Sequence, residues 1–160
     1  MPILYIMIGA PGSGKTHWVK NFLKDNPNVK HISRDEIRFS LLNENDDYFS
    51  QEKKVFSIFS TKITESLRAG LDTIADATHL NKASREKLVN SILNRGLTLD
   101  DFKIHFVFIN TTLDQCLRNN EGRTGRAFVT RSVIRRMWYQ LEPPNVNEFK
   151  NCIGVMTINY

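Results

Sequence analysis

Residues 3–16 read ILYIMIGAPGSGKT, a continuous apolar run that passes directly into a glycine-rich turn. The apolar residues from Ile3 to Ile8 predict a strand that is buried on both faces of a sheet. Residues Gly9 to Thr16 fit the pattern G-x-x-x-x-G-K-[ST] at every fixed position. We expect a helix to begin at Lys15, so the pattern spans a strand-to-helix turn.

This turn predicts a phosphate-binding loop. Glycine lets the backbone curl so that several N–H groups converge on a β-phosphate, and the start of the helix adds its dipole. Lys15 can reach the β- and γ-phosphates, and the Thr16 hydroxyl can ligate Mg²⁺. The predicted cofactors are therefore ATP and Mg²⁺. The residues predicted to bind them are Gly9, Pro11, Gly12, Ser13, Gly14, Lys15 and Thr16.

Strands and helices alternate along the rest of the chain. Further strands are predicted at residues 29–33, 71–75, 103–109 and 152–158, and helices at 15–24, 34–42, 50–69, 82–95, 113–119 and 131–141. Such alternation favours an α/β fold with a parallel sheet of about five strands flanked by helices. We expect a P-loop NTPase fold that is adenylate-kinase-like. No repeat or linker divides the chain, so residues 1–160 are predicted to form one domain with a lid at about 119–129.

Composition narrows the function classes. The 160 residues carry a formal net charge of +5, which favours polyanionic partners but also fits a solvated basic surface. Cys116 and Cys152 lack the spacing of a zinc site or a disulfide framework. Residues 3–8 are too few for a membrane span or a signal peptide core. We therefore expect no membrane partner and a cytoplasmic location, in the host if a phage encodes the protein.

Other motifs favour a kinase over a switch or a motor. The N-K-x-D motif by which GTPases bind guanine is absent, and residues 71–76 match the acidic strand of AAA-type motors poorly. After the second predicted strand, Asp35 and Arg38 lie three residues apart and share one helix face. Asp35 can accept the proton of an attacking hydroxyl while Arg38 binds an acceptor phosphate. The helix dipole alone can also explain acids in a first turn.

Two later segments complete the candidate site. Asp76 ends the third predicted strand, where ligands bind in open parallel sheets, so it can support Mg²⁺ or orient the substrate together with Thr78. His79 is interpreted as a loop residue. Six arginines and one acid lie between Arg118 and Arg136. Arg123 and Arg126, in a glycine-spaced segment, can close over the triphosphate. Arg131, Arg135 and Arg136 fit either substrate binding or a solvated helix face.

These motifs together resemble the 5′-kinase module of phage polynucleotide kinase and related end-healing enzymes, from Gly9 to about Met137. The resemblance implies that Asp35 is the general base on a 5′-hydroxyl of DNA or RNA and that Arg38 binds the acceptor's 3′-side phosphate. It also implies that Asp76 supports the site and that Arg126, or Arg123, contacts the donor phosphates. Ala77 and the lid spacing depart from the family pattern.

The resulting prediction is an ATP-dependent polynucleotide 5′-hydroxyl kinase with Lys15, Asp35 and Arg126 as catalytic residues. A phage or bacterial nucleic-acid repair pathway would suit such a module. Because the D-x-D-G-T motif of the family's phosphatase domain is absent, no 3′-phosphatase activity is expected. Two alternatives stay open, namely a kinase of nucleosides, nucleotides or sugars, and a module that binds ATP without phosphorylating an acceptor.

Overall fold

A computed structural model describes residues 1–125 and 128–160 as a five-stranded parallel sheet with helices on both faces. The strand order across the sheet is β2-β3-β1-β4-β5. The elements, in chain order, are β1 Ile3–Ile8, α1 Lys15–Asp25, β2 Lys30–Ser33, α2 Arg34–Leu41, α3 Glu52–Arg68, β3 Thr73–Asp76, α4 Lys82–Asn94, β4 Lys103–Asn110, α5 Leu113–Glu121, α6 Arg131–Tyr139, a short 3₁₀ helix Val146–Glu148 and β5 Cys152–Asn159.

The first strand lies at the centre of the sheet. Ile6 of β1 is paired with Ala75 of β3 on one side and with Phe106 of β4 on the other. Ile6 and Ile8 face the core layer formed with α3 and α4, whereas Met7 faces the layer formed with α1. All three side chains are fully buried, which confirms the prediction of a strand covered on both faces.

Several predicted boundaries were wrong by one to three residues. β3 begins at Thr73 rather than at residue 71. Asp72 precedes the strand, and its carboxylate accepts a hydrogen bond from the Ile3 N–H at 2.8 Å. α3 begins at Glu52 rather than at residue 50, after turn bonds such as that from Glu52 N to Phe49 O. α5 extends through Glu121, so the first three residues of the predicted lid at 119–129 are helical. The 3₁₀ helix was not predicted.

The parallel topology gathers the candidate site at one edge of the sheet. The phosphate loop follows β1, α2 follows β2 directly, and Asp76 is the last residue of β3. All five strands run in the same direction, so these positions meet at the carboxyl edge, where open α/β sheets bind ligands. In the part of the chain that the structure describes, no helix combines the length and apolar character needed to cross a membrane.

Candidate active site

The phosphate loop needs its glycines for both backbone conformation and space. Gly12 and Gly14 have φ values of +80° and +108°, in the left-handed region that side chains disfavour. A Cβ on Gly12 would lie 2.5 Å from the carbonyl oxygen of Cys116 in α5, and one on Gly14 would lie 2.8 Å from the ring of Tyr160. The loop is therefore packed tightly between α5 and the end of β5.

Neighbouring elements fix the loop through hydrogen bonds. The Gly9 N–H donates to the carbonyl of Thr78 at 3.0 Å. The Asn119 side chain donates to the Gly12 carbonyl at 2.7 Å, and the Thr111 hydroxyl donates to the Ser13 carbonyl at 2.6 Å. These bonds tie the backbone of the loop to the surrounding protein. Asn119 and Thr111 were not predicted, since their role depends on tertiary contacts.

Lys15 is held by the backbone of its own loop. Its ammonium donates to the carbonyls of Gly9 and Ala10 at 2.8 and 3.0 Å. Burial lowers the pKa of Lys15, while the negative charges of Asp76 and Asp35 act to raise it. The charges of Asp35 and Asp76 thus both act on Lys15, the lysine predicted to bind phosphate.

Asp35 is held by two donors and remains accessible. Its Oδ1 accepts hydrogen bonds from the Tyr48 hydroxyl at 2.7 Å and from Nη1 of Arg38 at 2.5 Å. The Asp35 side chain is 61% exposed. Burial, together with the charge of Asp35, raises the pKa of Tyr48, so the phenol stays protonated and continues to donate. The carboxylate is therefore fixed in orientation but open to a hydroxyl-bearing substrate.

Arg38 is buried and is bound mainly by a residue that the sequence did not single out. Its Nη2 donates to both carboxylate oxygens of Glu52, at 2.7 and 3.0 Å, and its Nε donates to Oε2 at 3.2 Å. The guanidinium carbon lies 4.3 Å from the centre of the Tyr48 ring. Arg38 therefore orients Asp35 in this structure, and its contact with an acceptor phosphate stays a prediction.

The segment after β3 supports the phosphate loop. The Asp76 carboxylate lies 2.8 Å from Nε2 of His31 on the neighbouring strand, and Thr78 contributes the carbonyl that binds Gly9. His79 is a buried loop residue with φ of 40°. Its Nδ1 lies 2.8 Å from the Met7 carbonyl, and burial lowers the pKa of its imidazole to about 4. The backbone at His79 thus turns left-handed directly after Thr78.

The predicted arginine lid is described only in part. Burial lowers the pKa of Lys15, and the positive charge of Arg123 adds to this effect. Arg126, predicted as a catalytic residue and as a contact of the donor phosphates, lies outside the described residues. The Asn120 side chain binds both the N–H and the carbonyl of Val129 and so anchors the carboxyl-terminal end of the lid.

The helix after the lid is basic on its surface. Arg135 and Arg136 are exposed on α6, and Arg131 forms an exposed ion pair with Glu121 at 2.5 Å. The Thr130 hydroxyl makes no capping bond to this helix among the described residues, although Thr130 is its N-cap residue. The exposure of these arginines fits a substrate surface as well as a solvated face.

The residues present fit a magnesium ion that is bound together with a nucleotide. Among the described residues, no group of three or more His, Cys, Asp or Glu side chains could hold a metal ion. Mg²⁺ does not require such a group, because it keeps several waters and binds through one or two protein ligands and substrate phosphates. The Thr16 hydroxyl and the Asp76 carboxylate are the ligands that the site offers. The buried Ser13 hydroxyl of the same loop has no hydrogen-bond partner among the described residues, which is consistent with a ligand at this position.

Comparison with known protein families matches residues 4–144 to a family described as an AAA domain. This stretch includes the phosphate loop, Asp35, Asp76 and the lid. The match shows the family to which the chain belongs and says nothing about motor activity. Residues 71–76 argue against an AAA-type motor.

Solved structures with the same fold belong to proteins whose names indicate different substrates. A chain of the Pnkp1/Rnl/Hen1 RNA repair complex superposes with a TM-score of 0.74 at 22% identity, covering 88% of this chain. A fungal RNA kinase gives 0.64 at 13% identity over 98% of this chain. A gluconokinase from Sinorhizobium meliloti gives 0.62 at 14% identity over 99%.

The matched chains differ in length. This chain spans 44% of the first matched chain, 38% of the second and 82% of the third. Identities this low demonstrate the fold alone. The predicted fold class, a P-loop kinase fold of the adenylate-kinase-like type, is confirmed.

Proposed function

The chain belongs to the AAA domain family, and from this premise we propose that it is an ATP-dependent polynucleotide 5′-hydroxyl kinase. The observation that carries the proposal is the exposed carboxylate of Asp35, which Tyr48 and Arg38 orient at the same sheet edge as Lys15. A general base positioned beside a phosphate-binding lysine suits transfer of a phosphoryl group to a hydroxyl better than it suits nucleotide binding alone.

In the proposed reaction Asp35 accepts the proton of the acceptor's 5′-hydroxyl as that oxygen bonds to the γ-phosphorus. The bond between the γ-phosphorus and the β–γ bridging oxygen breaks, and its electron pair leaves with ADP. Lys15 and the lid arginines, Arg123 and Arg126, would stabilise charge on the phosphates. Mg²⁺, which Thr16 and Asp76 would hold, neutralises phosphate charge when it is bound.

Two kinds of acceptor have support. The RNA repair complex and the fungal RNA kinase support a polynucleotide end, and the exposed basic residues Arg135 and Arg136 favour a polyanion. The gluconokinase and a sugar kinase of the same fold support a small hydroxyl compound as the second candidate. We place the polynucleotide first because a strand offers several phosphates to a basic helix, whereas gluconate offers one carboxylate and a sugar offers no charge.

The test is to incubate the protein with γ-labelled ATP, Mg²⁺ and 5′-hydroxyl DNA or RNA oligonucleotides, with 5′-phosphorylated strands as the matched control. Label at the 5′ end of the hydroxyl strand alone is the expected result. Label on gluconate, a sugar or a nucleoside, with none on oligonucleotides, would establish the second candidate. Slow ATP hydrolysis without label on any acceptor would favour a module that binds ATP without phosphorylating an acceptor.

The basic helix can be tested in the same assay. If Arg135 and Arg136 bind acceptor phosphates, the logarithm of the acceptor KM should rise steeply with the logarithm of salt concentration. The Arg135→Ala and Arg136→Ala variants should each lower that slope by about 1, which is the contribution of one phosphate contact. An unchanged slope in both variants would identify these residues as a solvated face.

A further inference from the structure

Two neighbouring aromatic residues, Tyr48 and Phe49, lie beside the candidate base, and Phe49 takes no part in the chemistry described above. The ring centres of Tyr48 and Phe49 are 4.7 Å apart at an interplanar angle of 85°. Phe49 is 54% exposed, and Phe39 packs against the other member of the pair, Tyr48, at 6.2 Å. The three rings form one cluster, with Phe39 on α2 and with Tyr48 and Phe49 in the loop between α2 and α3.

The cluster is connected directly to Asp35. The Tyr48 hydroxyl donates to the Asp35 carboxylate at 2.7 Å. Phe49 is the next residue in the sequence. The Arg38 guanidinium lies over the Tyr48 ring and holds it in place. The exposed Phe49 ring is therefore linked to the group that would deprotonate the acceptor through a single residue, Tyr48.

We propose that Phe49, supported by Tyr48, is a stacking platform for the terminal nucleobase of the acceptor strand. This inference rests on the proposed function and specifies what the acceptor must carry next to its hydroxyl. In a nucleoside the base is separated from the 5′-oxygen by a single furanose ring. A terminal 5′-hydroxyl at Asp35 can thus place its base over the neighbouring aromatic surface. Stacking on an aromatic ring accepts any base, because every base has a π-face.

The charges of the loop favour a base over a phosphate at this position. Residues 43–47 include the exposed acids Glu44, Asp46 and Asp47 and no basic residue. Negative charge repels a phosphate but has little effect on an uncharged base. The contribution of Phe49 to acceptor binding should therefore be insensitive to salt, in contrast to that of the basic helix α6.

The experiment compares two acceptors that differ only in the terminal base. One is a 5′-hydroxyl oligonucleotide with a natural terminal nucleoside, and the other has an abasic tetrahydrofuran residue at that end. Both are assayed with the wild-type protein and with Phe49→Ala, Phe49→Leu and Phe49→Trp. The leucine variant keeps apolar bulk without a π-face, and the tryptophan variant enlarges the π-face. Circular dichroism and ATP affinity serve as controls for folding and for the donor site.

With the wild-type protein, KM for the abasic end should exceed KM for the natural end by about 5- to 100-fold. Phe49→Ala should raise KM for the natural end until the two acceptors are alike, Phe49→Leu should restore little of the difference, and Phe49→Trp should retain it. ATP affinity should be unchanged.

Equal KM values for both ends in the wild-type protein would overturn the platform while leaving the polynucleotide kinase intact. An equal rise for both ends in Phe49→Ala would overturn it as well. Absence of transfer to either strand would overturn the proposed function and this inference with it.

Discussion

Arg38 and Glu52 form an ion pair that decides the orientation of the candidate base. Nη2 of Arg38 lies 2.7 Å from Oε1 of Glu52, and the Arg38 side chain is only 6% exposed. With the guanidinium fixed in this way, its Nη1 reaches Asp35 at 2.5 Å. Glu52 also accepts a hydrogen bond from Nη2 of Arg34, so one carboxylate organises both arginines of α2.

We expect Glu52→Gln to lower the free energy of unfolding by about 1–3 kcal/mol, because it removes one of the two carboxylates that pair with the buried Arg38. Burial raises the pKa of Glu52, but the hydrogen bond and charge of Arg38 outweigh this and hold the pKa below its ordinary value of 4.5. The stabilisation is therefore present above about pH 4.5 and is lost as the pH falls below it. Urea unfolding of both proteins between pH 7 and pH 3 would measure this. A stability gap that does not narrow with acid would contradict the pairing.

Asp35→Ala should reduce phosphoryl transfer by about 10²- to 10⁴-fold, the usual contribution of a general base. ATP affinity should stay near the wild-type value, since Asp35 is not part of the phosphate loop. Transfer of γ-label and ATP binding would be measured in parallel. Tyr48→Phe is the matched control. It removes one donor to Asp35 while keeping the ring, and its loss of rate should be much smaller. Undiminished turnover in Asp35→Ala would remove this residue from the mechanism.

His79 should make stability depend on pH in a defined window. Burial lowers the pKa of its imidazole from 6.5 to about 4 in the folded protein. Its contribution is full above pH 6.5 and is lost as the pH falls towards 4, because the unfolded chain binds the proton first. The loss should amount to about 3 kcal/mol. His79→Asn should largely lack this dependence, and Asn tolerates the positive φ at this position. An equal fall in melting temperature with acid in the wild-type protein and in His79→Asn would show that His79 is not the source of the pH dependence.

Gly14→Ala should destabilise the protein and weaken ATP binding at least tenfold, because its Cβ would clash with the Tyr160 ring and Gly14 has a positive φ. Gly70→Ala is the matched control. Gly70 also has a positive φ, of +81°, but its Cβ would meet no atom within 4 Å. This control should cost about 1 kcal/mol and leave ATP binding unchanged. Adding Tyr160→Ala to Gly14→Ala should recover the part of the loss that is due to the clash. Equal losses in the two glycine variants would mean that backbone strain alone is responsible.

The sequence predicted the elements that have strong local signals. The apolar run at Ile3 and the glycine pattern ending at Thr16 specified the central strand, the loop and the following helix. Asp35 and Asp76 were predicted from their places after strands, and the parallel topology brings both within electrostatic reach of Lys15. Boundaries were less well predicted, because residues such as Asp72 make tertiary hydrogen bonds that no local pattern encodes.

What the sequence by itself determined is the fold and the edge of the sheet at which chemistry can occur, because periodicity and loop motifs act over a few neighbouring residues. Only the tertiary structure decided which side chains hold the candidate base. Glu52 lies in the first turn of a helix, where an acid needs no further explanation, and Tyr48 lies in a polar loop. Their importance arises from contacts with Arg38 and Asp35 across 10 to 14 residues of chain. Such contacts depend on how α2 packs against α3, and the spacing of residues along the chain does not reveal it.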